Sequence, residues 1–494
     1  LVTKYMTTQP IVWTIAGSDP SGCAGIQADI KTFQALGVHG CSIVTAITAQ
    51  SIQSHHSLHS ATPDLLANQI KILQCDLPPK AIKIGMIGDI NHINVIYDFI
   101  RNNDVNVVFD PVLISSSKQK LFIQDEKIYI DELKKLFPFI FLITPNIHEA
   151  ELILNRKITS YDDVISASHE FISLGIKNVL LKGGHFDDHQ FSQDYWTNGN
   201  KSFWLASPRF HIQSIRGTGC TLSSAIAACL AQNYSLEDAL VISKMYINQS
   251  IRLANNVDAQ TAILLHETWP ENQIDLPYLS SVPIKQIPNK FPDILPDKIG
   301  LYPIIDSLNW IKKLSEINIQ TMQLRIKQLH GEALENKIRQ TIEFARQKNI
   351  KLFINDYWQL AIKYHAYGVH LGQEDLETAD LEAIRLSGLR LGVSTHCYAD
   401  VARAHAISPS YIACGPIFAT TSKQMPFAPQ GLEKLKRWRR TLQYPLVAIG
   451  GINETCFPEV VATQVDGIAM ISALTKASDP LKTGKYFLHL INNM

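Results

Sequence analysis

Two stretches of this 494-residue chain hold residue types that could do chemistry. The first is Arg216-Gly217-Thr218-Gly219-Cys220, which runs straight into the apolar segment T-L-S-S-A-I-A-A-C-L-A. Two glycines flanking a threonine at the mouth of a helix form a nest of backbone amides for an anion, at the positive end of the helix dipole. Where a phosphoryl-transfer site would place a carboxylate base, this chain has the Cys220 thiol. A free thiol near pKa 8.5 is only about 3% ionised at pH 7, so an unassisted Cys220 is a poor base. The helix start lowers that pKa and an arriving triphosphate opposes it, and the sequence does not decide between them. Phosphoryl transfer relies mainly on positioning and charge stabilisation, so the amides of residues 217–220 can outweigh the thiol. The plainer reading of Cys220 is a small residue that packs at a helix start.

The second stretch is a series of polar residues closing apolar runs after residue 300. Q-L-R-I-K places Gln323, Arg325 and Lys327 at period-two spacing on one side of a strand, which suits an anionic ligand or a salt-bridged rim. I-N-D brings Asn355 and Asp356, and G-Q-E-D brings Asp375 one strand–helix unit later. Neighbouring parallel strands lie roughly 5 Å apart, so the two carboxylates can face one site. Hard oxygen ligands supplemented by substrate phosphates suit Mg²⁺, while capping of the following helices is the alternative. Ser394-Thr395-His396, A-T-T-S-K (419–423), Gly450-Gly451 and Ile471-Ser472 add hydroxyls and glycines at four further strand ends.

The elements that must position these groups follow from hydrophobic patterning. Runs at 11–16, 41–49, 81–85, 105–110, 139–144 and 178–182 are nearly continuously apolar, as strands buried on both faces are. They alternate with helical patterns, which predicts a mostly parallel sheet with helices on each side. Asn198-Gly199 predicts a hairpin and an antiparallel edge. Strand-like runs then begin near 300, 321, 351, 368, 389, 411, 446 and 467, separated by helices. Eight such units in roughly 200 residues predict a (β/α)₈ barrel, with an open doubly wound sheet as the alternative. Between 268 and 299 six prolines, at 270, 277, 283, 288, 292 and 296, forbid a long helix or central strand. The expected organisation is therefore one domain over 10–267, a semi-rigid linker over 268–299 and a second domain over 300–494.

Bulk properties exclude several function classes. Lys+Arg and Asp+Glu both number 45, so no global field draws nucleic acid or anionic membrane to the chain. The basic run K-L-K-R-W-R-R (434–440) reads as the solvated face of a surface helix. The apolar share is 46%, yet no run reaches the length of a membrane span, and no signal-peptide core is visible near Leu1. Eight cysteines without C-x-x-C spacing, several inside apolar runs, fit a reduced cytoplasmic protein. The chain begins with Leu1 rather than Met, and the sequence does not say why.

The first half holds further candidates. A-G-S-D-P-S-G-C-A-G-I-Q-A-D-I-K-T departs from the G-x-G-x-x-G dinucleotide fingerprint, and Gly17, Gly22 and Gly25 imply a loop in close approach to a ligand. Asp29 falls in the following helix, where an exposed carboxylate is the plain expectation. Gln50 ends a strand and could pair with a heterocycle edge. Asn146 and Glu149 in T-P-N-I-H-E have capping-box spacing, at least as good an explanation as a metal role. Lys182 in K-G-G-H could meet phosphate. His55, His56 and His59 lack carboxylate or thiolate company and read as a polar loop.

These motifs together resemble two known families. From about Ile11 to His266 the chain resembles hydroxymethylpyrimidine/phosphomethylpyrimidine kinase of the ribokinase superfamily. The resemblance rests on the long glycine motif, T-A-I-T-A-Q, K-I-G-M, T-P-N-I-H-E-A, K-G-G-H and G-T-G-C-T-L-S-S-A, with Cys23 standing where glycine is usual. It implies that Gly17, Asp29, Gln50 and Met86 contact the pyrimidine, that Asn146, Glu149 and Lys182 serve MgATP, and that Gly217, Gly219 and Cys220 form the anion hole and catalytic position. From about 300 onward the chain resembles thiamine phosphate synthase, through Q-L-R-I-K, I-N-D, V-H-L-G-Q-E-D, G-V-S-T-H, T-S-K-Q-M-P and A-I-G-G-I. That resemblance implies Mg²⁺ on Asp356 and Asp375, diphosphate on Arg325, Lys327, Asn355 and Lys423, and the pyrimidine beside Gln323 and Ser394. It gives the thiazole phosphate to Thr420, Ser422, Gly451, Ile471 and Ser472. Many members carry P-T-x-T-K where this chain has A-T-T-S-K, and Ser422 keeps the hydroxyl. The implied function is bifunctional: ATP-dependent phosphorylation of hydroxymethylpyrimidine and its monophosphate, then condensation of the diphosphate with thiazole phosphate. The alternative is a pyridoxal-type salvage kinase fused to a non-catalytic or regulatory barrel. The expected partners are small molecules, and the sequence leaves open a homo-oligomer.

Overall fold

The computed structural model describes residues 9–51, 55–114, 121–122, 124–184, 190–210, 215–257, 261–294, 298–420 and 428–493. The chain divides into two compact units, one holding residues up to Pro270 and Ile274–Gln286, the other Glu271–Gln273 and Ile287 onward.

The first unit is built on a ten-stranded sheet. Its strands in chain order are β1 (Ile11–Ser18), β2 (His39–Gln50), β3 (His55–Ser60), β4 (Ala81–Ile84), β5 (Asn106–Phe109), β6 (Leu142–Ile143), β7 (Val179–Leu181), β8 (Phe191–Thr197) and β9 (Ser202–Pro208). A small separate ribbon, β10 (Asn255–Asn256) with β11 (Ala262–Ile263), precedes the tenth strand, β12 (Tyr278–Ser280). The spatial order is β12-β9-β8-β7-β6-β5-β4-β1-β2-β3, with the six strands from β2 to β7 across the middle all parallel. These six are the six apolar runs of the sequence, buried by helices on both faces as their composition requires. On one face Trp13, Ile43, Ile82 and Phe109 join a large core with Ile96, Tyr129 and Phe171 from covering helices. On the other face lies helix Thr218–Ala231, buried from Cys220 through Ala231. Its sequence, without a charged residue and mostly small or aliphatic, suits a helix buried all round from Cys220 onward.

One expectation changes. The stretch 55–60 is not a loop but the antiparallel edge strand β3, paired with β2 from Ala46↔Ser60 to Gln50↔His55. Cross-strand pairing there overrides a polar composition that pattern reading alone takes for a turn. The described part of the proline-rich stretch is held by specific contacts. Tyr278–Ser280 extends the first unit's sheet beside β9, and Gln193 both donates to the Ile284 carbonyl (3.0 Å) and accepts from its amide (2.7 Å). Farther on, the Phe291 amide donates to the Ser408 carbonyl at 3.0 Å, and Phe291 and Ile294 are buried in the second unit.

The second unit is a closed barrel of eight parallel strands: β13 (Gly300–Ile305), β14 (Thr321–Leu324), β15 (Lys351–Asn355), β16 (Gly368–Leu371), β17 (Arg390–Thr395), β18 (Tyr411–Cys414), β19 (Leu446–Ile449) and β20 (Gly467–Met470). Closure by β13 against β20 removes the open-sheet alternative. Tyr302, Phe353, Tyr411 and Val447 fill the interior, so it is a packed core with its loops free to form a site. The basic run lies in helix Gly431–Thr441, whose Leu435 and Trp438 are buried, while Arg437 and Arg440 pair with Glu271.

Candidate active sites

In the first unit the carboxyl ends of β1, β2, β4, β5 and β7 surround a cavity of about 1090 Å³. Ligand sites of parallel sheets lie at this end because the strand-to-helix loops converge there. Gly217 starts the long helix with φ +81°, and a Cβ at this position would sit 1.9 Å from the Cys23 carbonyl oxygen. No side chain caps that helix, and residues 217–220 line the cavity, so the first-turn amides are left for a ligand. The opposing loop is held by Asp19, whose carboxylate accepts from the Ser21 amide (2.9 Å) and the Ala24 amide (2.8 Å). Cys23 keeps a negative φ, so its side chain is accommodated where glycine was expected.

The Cys220 thiol is buried, and burial pushes it up to about 11; the Lys83 ammonium opposes this, while Asp29 and Asp110 add to it. The unliganded site therefore holds a neutral thiol.

Asp29 is not an exposed carboxylate. It is fully buried beneath the cavity, accepting from Thr14 (2.6 Å), Ser224 (2.7 Å) and Lys83 Nζ (2.8 and 2.9 Å). Three residues, from β1, β4 and the helix Thr218–Ala231, make four hydrogen bonds that consume its oxygens, and Lys83 rather than Asp29 lines the cavity. Burial alone would drive the Lys83 ammonium toward neutrality, but Asp29, Cys220 and Asp110 raise its pKa above the ordinary lysine range. Gln50 and Met86 do line the cavity, as does Gly17, where a Cβ would collide with Met86 Cε at 2.2 Å. Met86 belongs to an apolar patch with Ala46 and Leu121, a surface suited to a flat ring.

Across the cavity Lys182 Nζ bonds Asp110 Oδ1 at 2.8 Å. Asn146 and Glu149 make the capping box that their spacing predicts, at 2.8 and 2.9 Å, and both also line the cavity. Burial raises Glu149 to about 7, against the pull of Lys182 and with the push of Asp110. Such paired buried carboxylates beside a cation are what a divalent ion and phosphates would satisfy. Sequence reading missed Lys83 and Asp110. Each is a charged residue in or just after an otherwise apolar strand, which was the available signal.

In the second unit the strand ends bring their polar groups to one rim. Asp356 follows β15 with φ +65° and pairs with Lys327 Nζ at 2.8 Å. Asp375 accepts from the Gly372 amide at 3.0 Å, so it caps its helix as well as facing the rim. Burial raises the Asp375 pKa, and the Asp356 carboxylate beside it adds to the effect. The two aspartates thus meet, as their spacing predicted, and like charges in contact call for a cation. Among the described residues, no group of three or more His, Cys, Asp or Glu side chains is placed to hold a metal ion. Asn355 is buried at the end of β15, and Arg325 follows β14 with its amide bonded to the Ile305 carbonyl at 2.7 Å.

Gly451 has φ +69° and a Cβ there would meet the Ala419 carbonyl at 2.5 Å, which brings the loops after β18 and β19 together. Thr420 lies at that junction, whereas Ser422 and Lys423 lie outside the described residues. Ile471 and Ser472 open the short helix Ser472–Thr475 after β20. Gln323 and Ser394 are joined through Tyr302, Tyr411 and His370, three residues given no role from sequence. Burial holds His370 low, near 4, with Asp356 opposing.

A cavity of about 1090 Å³ with an uncapped helix start, on a sheet of this kind, and a barrel mouth that gathers cations and carboxylates mark two transferase units in one chain. Family comparison agrees. Residues 19–264 match the phosphomethylpyrimidine kinase family and residues 301–474 the thiamine monophosphate synthase family. The thiamine-phosphate synthase of Photorhabdus laumondii is 52% identical over 198 residues, covering 40% of this chain and 92% of that protein. That of Klebsiella pneumoniae is 55% identical over 190 residues, covering 38% and 90%. The solved pyridoxal kinase from Staphylococcus aureus in complex with AMP-PCP is 27% identical with a TM-score of 0.50, covering 56% of this chain and 99% of that one. The chain belongs to the phosphomethylpyrimidine kinase family in its first half and the thiamine-phosphate synthase family in its second. It is a bifunctional enzyme of thiamine biosynthesis, and its first half uses ATP. No helix among the described residues is long and apolar enough to cross a membrane.

Proposed function

We propose that the first unit phosphorylates hydroxymethylpyrimidine and then its monophosphate, and that the second joins the resulting diphosphate to thiazole phosphate. The pyrimidine ring lies on Met86 and Gly17 with its polar edge toward Gln50, and Asp29 acts from below by fixing Lys83. The amides of Gly217, Thr218, Gly219 and Cys220 hold the transferred phosphoryl group, and Lys182 with Asn146 binds the nucleotide phosphates. Glu149 and Asp110 would hold Mg²⁺, which when bound neutralises phosphate oxygens. The hydroxymethyl oxygen bonds the γ-phosphorus, ADP leaves, and the alcohol's proton passes to Cys220 in the minor fraction of enzyme that carries it as thiolate. A second cycle uses the new phosphate as acceptor.

In the barrel, Arg325, Lys327, Asn355 and Lys423 bind the diphosphate, and Asp356 and Asp375 would hold Mg²⁺ against it. The carbon–oxygen bond to diphosphate breaks, the thiazole nitrogen bonds the pyrimidine methylene, and diphosphate departs. Thr420, Ser422, Gly451, Ile471 and Ser472 hold the thiazole phosphate. The cations, with the Mg²⁺ that the carboxylate pair would hold, would stabilise the departing charge while the rim fixes the nucleophile. A cytoplasmic enzyme acting on small molecules accords with eight free thiols, five of them buried.

The observation that carries the reading is that the two families make and consume one intermediate. Hydroxymethylpyrimidine, thiazole phosphate and MgATP supplied to the full chain should yield thiamine phosphate. Accumulation of the pyrimidine diphosphate alone would show a dead barrel, and faster turnover of pyridoxal than of hydroxymethylpyrimidine would refute the kinase assignment.

A further inference from the structure

The barrel interior contains an unbroken hydrogen-bonded chain that no part of the mechanism above employs. Gln323 Nε2 donates to Tyr302 Oη at 3.2 Å, and the two tyrosine hydroxyls are 2.8 Å apart. Tyr411 Oη lies 2.7 Å from His370 Nδ1, and His370 Nε2 lies 2.8 Å from Ser394 Oγ. Its links come from β14, β13, β18, β16 and β17 in turn. Gln323, Tyr302, Tyr411 and His370 are all buried, and Ser394 is half-buried at the mouth.

The chain has a direction. A hydroxyl gives one proton, and an imidazole with hydroxyls at both ring nitrogens and no carboxylate at either carries one. With Gln323 Nε2 donating to Tyr302, the arrangement that satisfies every donor sends the Tyr302 proton to Tyr411, that of Tyr411 to His370 Nδ1, and the Nε2 proton to Ser394. What remains is the Gln323 carbonyl oxygen as an acceptor at one end and the Ser394 hydroxyl proton as a donor at the other. Reversal would have to turn every link and the Gln323 amide together, so the two ends are held in opposite roles. Polar atoms at the centre of a barrel are costly unless every one is satisfied, and apolar side chains would fill the same space more simply. The fold also clears room for the chain: a Cβ on Gly392 would lie 2.1 Å from Tyr411 Cζ.

We propose that Tyr302, Tyr411 and His370 are positioning residues that fix Gln323 as acceptor and Ser394 as donor toward an aminopyrimidine edge. Such an edge offers an exocyclic N–H beside a ring nitrogen, the complement of that pair. The proposal rests on the synthase reading and explains how that site tells an aminopyrimidine from a ring of similar size.

The test is steady-state synthase kinetics of the full-length Tyr411→Phe variant, with the pyrimidine diphosphate supplied directly. The substitution keeps the ring and removes one link. The KM for pyrimidine diphosphate should rise about 10- to 100-fold, with the KM for thiazole phosphate within about twofold of wild type. Preference for the substrate over its analogue with hydrogen in place of the amino group should fall by a similar factor. An unchanged pyrimidine KM, or an equal rise in both KM values with preference intact, would overturn the proposal. Should Tyr411→Phe fail to fold, Tyr302→Phe breaks the neighbouring link and is judged by the same criteria. A wild-type enzyme that makes no thiamine phosphate from both substrates would refute the synthase reading itself.

Discussion

Replacing Gly217 with alanine tests the amide nest without touching any side chain that could do chemistry. The helix start adopts φ +81°, a conformation that costs an L-residue about 1–2 kcal/mol. The added Cβ would also lie 1.9 Å from the Cys23 carbonyl oxygen, well over 1 Å inside ordinary contact. Cys23 sits in a loop tied down through Asp19, so the helix start has to move instead. Displacing preorganised donors by about 1 Å costs roughly 10²-fold in rate, and losing one outright costs 10²- to 10³-fold. Gly217→Ala should therefore lower kinase kcat/KM by about 10²- to 10³-fold, measured as ADP release with hydroxymethylpyrimidine. Diphosphate release by the synthase, assayed on the same preparation, should be unchanged, because the barrel is a separate unit. Kinase activity within about threefold of wild type would show that these amides do not hold the transferred group.

Three further outcomes follow from the buried charges. With the Cys220 thiol near 11, the thiolate fraction rises tenfold per pH unit between about pH 7 and 9, and the kinase rate should rise with it. Cys220→Ala should lose about 10²-fold or more together with that slope, and a flat wild-type profile would reassign Cys220 to shaping the nest. Glu149, raised to about 7, is protonated below that pH and cannot hold a cation there. The Mg²⁺ concentration for half-maximal kinase activity should accordingly climb as pH falls from 7 to 5.5, and constancy across that range would exclude Glu149 as a ligand. Lys83→Met strands the Asp29 carboxylate in the core and should destabilise the first unit by about 3–5 kcal/mol in urea denaturation. Asp29→Asn in the same chain should recover much of that loss, and a single variant within about 1 kcal/mol of wild type would refute the pairing.

What the sequence determined by itself was whatever depends on local pattern. Continuous apolar runs located the six parallel strands and all eight barrel strands, because burial on both faces leaves a strand little polar content. Asn198-Gly199 marked the β8–β9 hairpin, and positions after neighbouring strands, one strand–helix unit apart, brought Asp356 and Asp375 to one rim. Tertiary structure alone decided where charges meet. Asp29 reads as an exposed helical carboxylate until Thr14, Lys83 and Ser224, distant in sequence, close over it. The histidine-rich stretch 55–60 became a strand because β2 offered it an edge. The Cys220 pKa likewise depended on how deeply its helix start is buried and on which charges surround it. Tyr302, Tyr411 and His370 look like ordinary strand residues, and only barrel closure brings them between Gln323 and Ser394. Pattern encodes which face of an element is buried; desolvation and long-range pairing, which set the chemistry, exist only once the chain has folded.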